Sequence, residues 1–355
     1  MHAPLFIDVA GTALTDADRR RLLNPLVGGL TLFSRNGVSH AQLGELTASI
    51  HELRADLLIA VDHEGGRVQR FGAAQGLTPL PSMREIGRLN CPEAAFACGA
   101  LLAAELRATG IDLSFAPVLD LDWGHSRVIG DRALAGDPDV VARLAGAFIG
   151  GMKSQGMAHC AKHFPGHGWV RADSHRAVPR DRRALDVLLR DDVEPYRRLI
   201  EPGALSAVMA AHVIYPRVSA QPAGFSRRWL HGVLRGRLGF RGAIFSDDLS
   251  MRAARVRLGR PLDIASAAVA ALDAGCDAVL ICNQSLHGGA NLDRTLDELT
   301  AACDRGTLLR DEQSAARLRA LRPTGDVPTA AQLENVAAAQ RAAWARAVER
   351  VPGGA

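Results

Sequence analysis

Between Lys162 and His175 the chain reads KHFPGHGWVRADSH, which crowds three histidines, a lysine and an aspartate around Pro165, Gly166 and Gly168. Proline stops a helix and glycine permits backbone geometry closed to other residues, so this stretch is a shaped loop and not a packing element. Asp173 and His175 are one residue apart, on the same side of an extended backbone. A carboxylate beside an imidazole fixes its tautomer and raises its basicity, as a proton-transferring histidine requires. For any single histidine, a solvated loop with local hydrogen bonds is the simpler alternative. The clustering favours chemistry.

A second concentration is Ser246-Asp247-Asp248, which follows the apolar run Ala243-Ile244-Phe245. A buried strand there delivers Asp247 to its end, where the carboxylate suits a nucleophile, an electrostatic stabiliser or a salt-bridge partner. Successive strand residues alternate, so Asp248 faces elsewhere and is expected to cap the following helical turn.

Other polar groups also follow short apolar runs. They are Asp62-His63-Glu64-Gly65-Gly66-Arg67 with Gln69 and Arg70, then Asp120, Asp122, Arg127 and Gly130-Asp131-Arg132, and further on His212 and Asn283. A structural ion network would use the same residue types. Convergence from several strand ends points instead to a pocket for a polyhydroxylated ligand.

The elements that would position these groups alternate between β-branched runs and longer Ala/Leu/Arg stretches of helical period. Strands are expected at 5–9, 30–33, 57–61, 113–117, 157–161, 207–211, 243–245 and 278–281. Helices are expected at 16–23, 41–54, 92–109, 138–154, 182–200, 226–238, 264–274 and 292–303, with Asp16, Asp137 and Ser226 as caps. Eight such pairs predict an α/β fold, a single-domain (β/α)8 TIM-type barrel spanning 1–355. Chemistry in such barrels sits at the C-terminal strand ends. An open doubly wound sheet has no need of eight units. Two further helices, near 310–321 and 329–348, are expected to form a C-terminal extension (about 306–350) packed on the barrel.

Composition limits the alternatives. Apolar residues make up 48%, charged residues 23%, and the net charge is +4 over 355 residues. Arginines are dispersed and aromatics few, so no nucleic-acid partner is expected. No run approaches the ~18 apolar residues of a membrane span, and the amino terminus lacks a signal-peptide pattern, so the cytoplasm is the default compartment. Cys91, Cys98, Cys160, Cys276, Cys282 and Cys303 form no CxxC pair and are expected to be reduced thiols.

Two look-alike motifs fail. Gly146–Ser154 has Met152 between Gly151 and Lys153, which breaks a phosphate loop. His159, His163 and His167 recur at helical spacing, but Pro165 and Gly166 interrupt any helix, which makes a zinc stripe the lesser alternative.

Taken together, KHFPGHG with DSH, the upstream run from Asp62 to Phe71 (DxEGGRVQRF) and the downstream run from Phe245 to Met251 (FSDDLSM) resemble the bacterial β-N-acetylglucosaminidases of glycoside hydrolase family three. The likeness also takes in 128–132 and 211–216, over roughly the first 250 residues. His63 departs from it, since relatives commonly carry Gln there, and only an indirect effect is expected.

The resemblance implies a (β/α)8 barrel and an exo-acting, retaining enzyme that removes N-acetylglucosamine from 1,6-anhydro-muropeptides in peptidoglycan recycling. It implies Asp247 as nucleophile and His175 as general acid/base oriented by Asp173. It implies Asp62, Arg70, Arg132, Lys162 and His163 as holders of the sugar ring. A small-molecule sugar substrate, a monomer, and neither metal nor organic cofactor are the accompanying expectations. The alternatives are a β-glucosidase, a phosphorylase using the same histidine loop, a metal-dependent hydrolase using His163, His167 and His175, and a non-catalytic sugar-binding protein.

Overall fold

The computed structural model describes residues 3–171, 178–257, 260–307 and 311–350. The eight strands close into a barrel: β1 (Leu5–Ile7), β2 (Val27–Leu32), β3 (Leu58–Val61), β4 (Leu113–Ser114), β5 (Ala158–Phe164), β6 (Ala207–Ala210), β7 (Ala243–Asp248) and β8 (Ala278–Leu280). Each pairs in parallel with its sequence neighbours, and β8 closes on β1 through Leu5 opposite Val279.

Alternation along the strands divides the core in two. Leu5 and Ile7 face the surrounding helices, whereas Phe6 faces inward with Leu58, Ala60, Phe115, Met209, Ala243, Phe245 and Leu280. The interior is filled, not hollow. Phe245 makes edge-to-face contacts with Phe6 and Phe115, at centroid distances of 5.1 and 5.6 Å. Below them Leu318 and Leu321, at the end of helix Glu312–Arg319, join the same cluster and seal the barrel floor.

The expected strands are all present, with shifted ends. The fourth stops at Ser114 instead of Pro117, because proline has no N–H for the ladder, although Cys160 N–H still donates to the Ala116 carbonyl. The expected helix at 182–200 is two helices, Leu185–Arg190 and Glu194–Ile200, with Pro195 in the first turn of the second.

Asp137 caps Pro138–Ser154 as expected. Asp16 does not cap the first helix. Thr15 does, in a capping box with Asp18. Ser226 caps nothing through its side chain; the segment that follows, Arg228–Arg237, is a π-helix whose N-cap is Arg227. Sequence patterning also passed over helix Met83–Leu89 and the hairpin of His63–Gly65 with Val68–Gln69.

The C-terminal helices rest on the barrel through polar contacts. Ser314 Oγ and Arg317 bond Asp277, Arg107 bonds the Gly325 carbonyl, and Gln340 bonds Cys98 Sγ. Cys91, Cys98, Cys160, Cys276 and Cys282 are buried thiols. Among the described residues, no helix is long and apolar enough to cross a membrane.

Candidate active site

At the C-terminal ends of the strands lies a cavity of about 820 Å³ lined by Asp62, Arg70, Arg132, Lys162, His163 and Asp247 among others. Six of the eight residues singled out from the sequence thus come together. Asp173 and His175 lie outside the described residues.

The cavity wall is built on one buried carboxylate, Glu64, which the sequence placed among the strand-end groups without assigning it a role. Glu64 receives Lys162 Nζ at 2.6 Å and a two-pronged Arg132 guanidinium at 2.8 Å on each oxygen. Lys162 also donates to Asp62 at 2.7 Å, and Arg70 reaches the other Asp62 oxygen at 2.9 Å. Burial pushes both carboxyls up, but their cations outweigh it: Lys162 and Arg70 hold Asp62 well below the usual range, and Arg132 and Lys162 bring Glu64 down to about 2. Burial likewise works against the Lys162 ammonium, and Asp62 and Glu64 keep it charged. The signal was available, since Asp62 and Glu64 stand two apart in an extended segment and so share a side.

The second support is Asp120, which the sequence placed among the strand-end groups without assigning it a role. One oxygen takes His163 Nδ1 at 2.6 Å, and the other takes the His163 and His167 backbone N–H groups at 3.3 and 2.6 Å. With Nδ1 so engaged, the His163 ring turns Nε2 toward Arg132 Nη2, 3.4 Å away. His167 lies edge-on to His163 and is held neutral, its pKa brought to about 4 by burial and the neighbouring ring. His159, four residues back, is a core histidine that accepts from Ser206 N–H. Among the described residues, no group of three His, Cys, Asp or Glu is placed to hold a metal ion.

The loop that follows β5 and carries His167 is wedged against the molecule. Gly166 adopts φ +150°, and a Cβ there would stand 2.6 Å from the Asp192 Cβ. At Gly168 a Cβ would meet the Leu121 carbonyl at 1.9 Å, so only glycine allows the approach. Behind them Arg183 pairs with Asp181 and Asp192 and stacks between the Trp123 and Trp169 rings, at 5.0 and 4.5 Å.

Asp247 differs from every other acid of the cavity. Among the described residues its one hydrogen bond comes from the Asp248 N–H, at 2.8 Å, and no cation pairs with it. Burial opposes its ionisation, and the His163 and His212 rings, that N–H and Lys162 outweigh it, so the carboxyl stays below its usual value and charged. An ionised, uncommitted oxygen facing a cavity is what a nucleophile needs.

Asp248 does not cap a helix. It accepts from Ser250 N–H and Oγ and from Cys282 N–H on the β8 side, and burial raises its pKa to about 6. His63 is buried outside the cavity lining, and Asn283 lines the mouth while accepting from Arg35.

Residues 6–322 match the glycosyl hydrolase family 3 N-terminal domain. The chain belongs to that family. It is 51% identical over 342 residues to a beta-hexosaminidase of Aromatoleum aromaticum, covering 94% of this chain and 91% of that protein. A beta-hexosaminidase of Pseudomonas aeruginosa is 56% identical over 284 residues, or 80% of this chain and 83% of that one. Among solved structures, NagZ from Neisseria gonorrhoeae in complex with N-trifluoroacetyl-D-glucosamine superposes with a TM-score of 0.83 at 41% identity, covering 98% of each chain. The family 3 barrel is the closed parallel barrel described above.

Proposed function

We propose that this chain is a retaining β-N-acetylhexosaminidase that removes terminal N-acetylglucosamine from 1,6-anhydro-muropeptides. The observation that carries this is Asp247, an ionised carboxylate with a free face at the end of β7, beside a ring of hydrogen-bonding groups matched to sugar hydroxyls. The similarity to beta-hexosaminidases supports the glycoside class.

In this mechanism Asp247 attacks the anomeric carbon from one face, expelling the leaving oxygen and forming a glycosyl-enzyme ester. His175, oriented by Asp173, protonates that oxygen and then takes a proton from the water that cleaves the ester. An imidazole titrates near neutrality, so it serves both steps without being raised by burial. Asp62, Arg70, Arg132, Lys162 and His163 hold the ring, and their mutual ion pairs fix them before substrate arrives. Glu64 and Asp120 act through these groups. No nucleic-acid, membrane or metal partner enters this scheme. The chain acts as one catalytic barrel, with the C-terminal helices packed on it through Asp277 and Cys98.

The test is release of nitrophenol from a β-N-acetylglucosaminide. Wild type should turn over with product of retained configuration, Asp247→Ala should abolish turnover, and His175→Ala should flatten the pH profile. Near wild-type turnover by Asp247→Ala ends the assignment. Equal rates on a β-glucoside, or acceleration by phosphate, would point to the glucosidase or phosphorylase instead.

A further inference from the structure

On the N-terminal side of β7 and β8 a second recess, of about 1200 Å³, opens between the π-helix Arg228–Arg237, the end of helix Ile264–Ala274 and helix Glu312–Arg319. It shares no lining residue with the strand-end cavity. Among the described residues its wall carries five guanidiniums, of Arg227, Arg228, Arg235, Arg241 and Arg317, against three carboxylates, of Asp273, Asp277 and Asp311.

Pairing leaves positive charge over. Asp277 is shared: Arg235 Nη2 takes one oxygen at 2.7 Å and Arg317 Nη1 the other at 2.9 Å, so one negative charge serves two cations. Among the described residues Arg241 donates only to the Arg235 and Phe240 backbone carbonyls, Arg227 only to the Asp273 carbonyl, and Arg228 has no hydrogen bond or ion pair. A carbonyl satisfies an N–H without neutralising the cation behind it. His231 registers the surplus. Its ring is packed against Gly275, where a Cβ would stand 2.6 Å from Nε2. Burial lowers the pKa of that ring, Arg227, Arg235 and Arg317 lower it further, and Asp277 offsets them only in part.

Arginines scattered over a convex surface would need no partner but water. These converge on one concave recess from two helices and the turn before β7, and a cleft with an excess of one charge concentrates counter-ions. A lone carboxylate would occupy a single guanidinium fork. Linked phosphates carry several charges on oxygens that suit successive forks.

We propose that this recess binds a small polyphosphate-type anion, held chiefly by Arg228 and Arg241 and completed by the Arg235–Asp277–Arg317 cluster. The bound anion ties the π-helix to the helix that seals the barrel floor. Nothing in this depends on the hexosaminidase reading.

The experiment is calorimetric titration of the full chain at low salt with inorganic triphosphate and with ATP, alongside thermal unfolding. Both should bind with a dissociation constant below about 1 mM, raise the thermal midpoint, and lose affinity as salt rises. Arg228→Gln with Arg241→Gln should weaken both by about tenfold or more, whereas Arg→Lys at both should keep part of the affinity. Undiminished affinity in the Gln variant would put the anion elsewhere, at the strand-end cations for instance, and overturns the proposal. Absence of binding overturns it too. So does binding of ATP without triphosphate, since the nucleoside and not the phosphates would then be recognised. An equal rise in midpoint from sodium sulfate at matched ionic strength would reduce the effect to general salt action and likewise ends it.

Discussion

Two aspartates, Asp277 buried and Asp247 half-buried, sit at opposite ends of neighbouring strands, and they are bonded in opposite ways. Asp277, just before β8 at the N-terminal end of the barrel, has both oxygens filled. Arg235 and the Ile244 N–H take one, and Ser314 Oγ and Arg317 take the other, all between 2.6 and 2.9 Å. Asp247, at the C-terminal end of β7, has one N–H and an open cavity in front of it. A saturated carboxylate holds elements together, here β7, β8 and the helix Glu312–Arg319. An unsaturated one that nonetheless stays ionised is held ready for something that arrives. Composition does not separate the two, since each is an acid among bases; the count of committed lone pairs does.

Substitutions can break that contrast, and the first should have the largest effect. Asp247→Asn keeps the shape and removes the charge. Turnover on a nitrophenyl glycoside should fall on the order of a thousandfold or more, with a thermal midpoint close to wild type. Asp277→Ala should do the reverse. Denaturant unfolding should show a loss of about 3 kcal/mol, because Arg235 and Arg317 lose their shared partner, while kcat below the melting transition stays within about twofold. A large activity loss without a stability loss at Asp277 would mean that the two ends are coupled, and the contrast would fail.

Glu64→Gln tests a position between these extremes, since Glu64 is saturated like Asp277 but lies in the cavity wall. Removing its charge leaves Lys162 and Arg132 less firmly placed. Steady-state kinetics should show kcat/KM reduced by roughly tenfold or more, together with a measurable loss of stability.

The smallest effect should come from Asp248→Asn. Burial raises the Asp248 carboxyl from 3.8 to about 6. The folded state therefore binds a proton that the unfolded chain has already lost in that interval, and this group's contribution favours folding at low pH and is lost as pH rises toward 6. Unfolding free energies measured across this range should fall less steeply with pH in the Asn variant than in wild type. Parallel curves would show that Asp248 does not titrate there.

The barrel was legible because alternation of apolar strands with periodic helices is a chain-wide pattern, and each strand appears where its run lies. Ends were less legible. Thr15 takes the cap expected of Asp16 because a capping box with Asp18 satisfies two N–H groups at once. The cavity position of Asp62, Arg70, Arg132, Lys162, His163 and Asp247 was legible because these residues lie at the strand ends or in the segments that follow them. Glu64 and Asp120 were placed at strand ends but given no role, because their importance lies in long-range partners, Lys162 and Arg132 for one and His163 for the other, which only the closed barrel brings within reach. Asp248 misled because a polar residue after a strand resembles a cap, whereas its third partner, Cys282 N–H, belongs to the strand beside it.

The packed phenylalanines and the leucine plug beneath them also decide traffic. For a hydrolase working in this pocket, what enters must back out by the same route. The severed unit stays trapped behind the departing remainder until that has cleared. Among the described residues the plugged floor offers no second way out, so free monosaccharide should compete with fresh substrate for the opening at the strand ends.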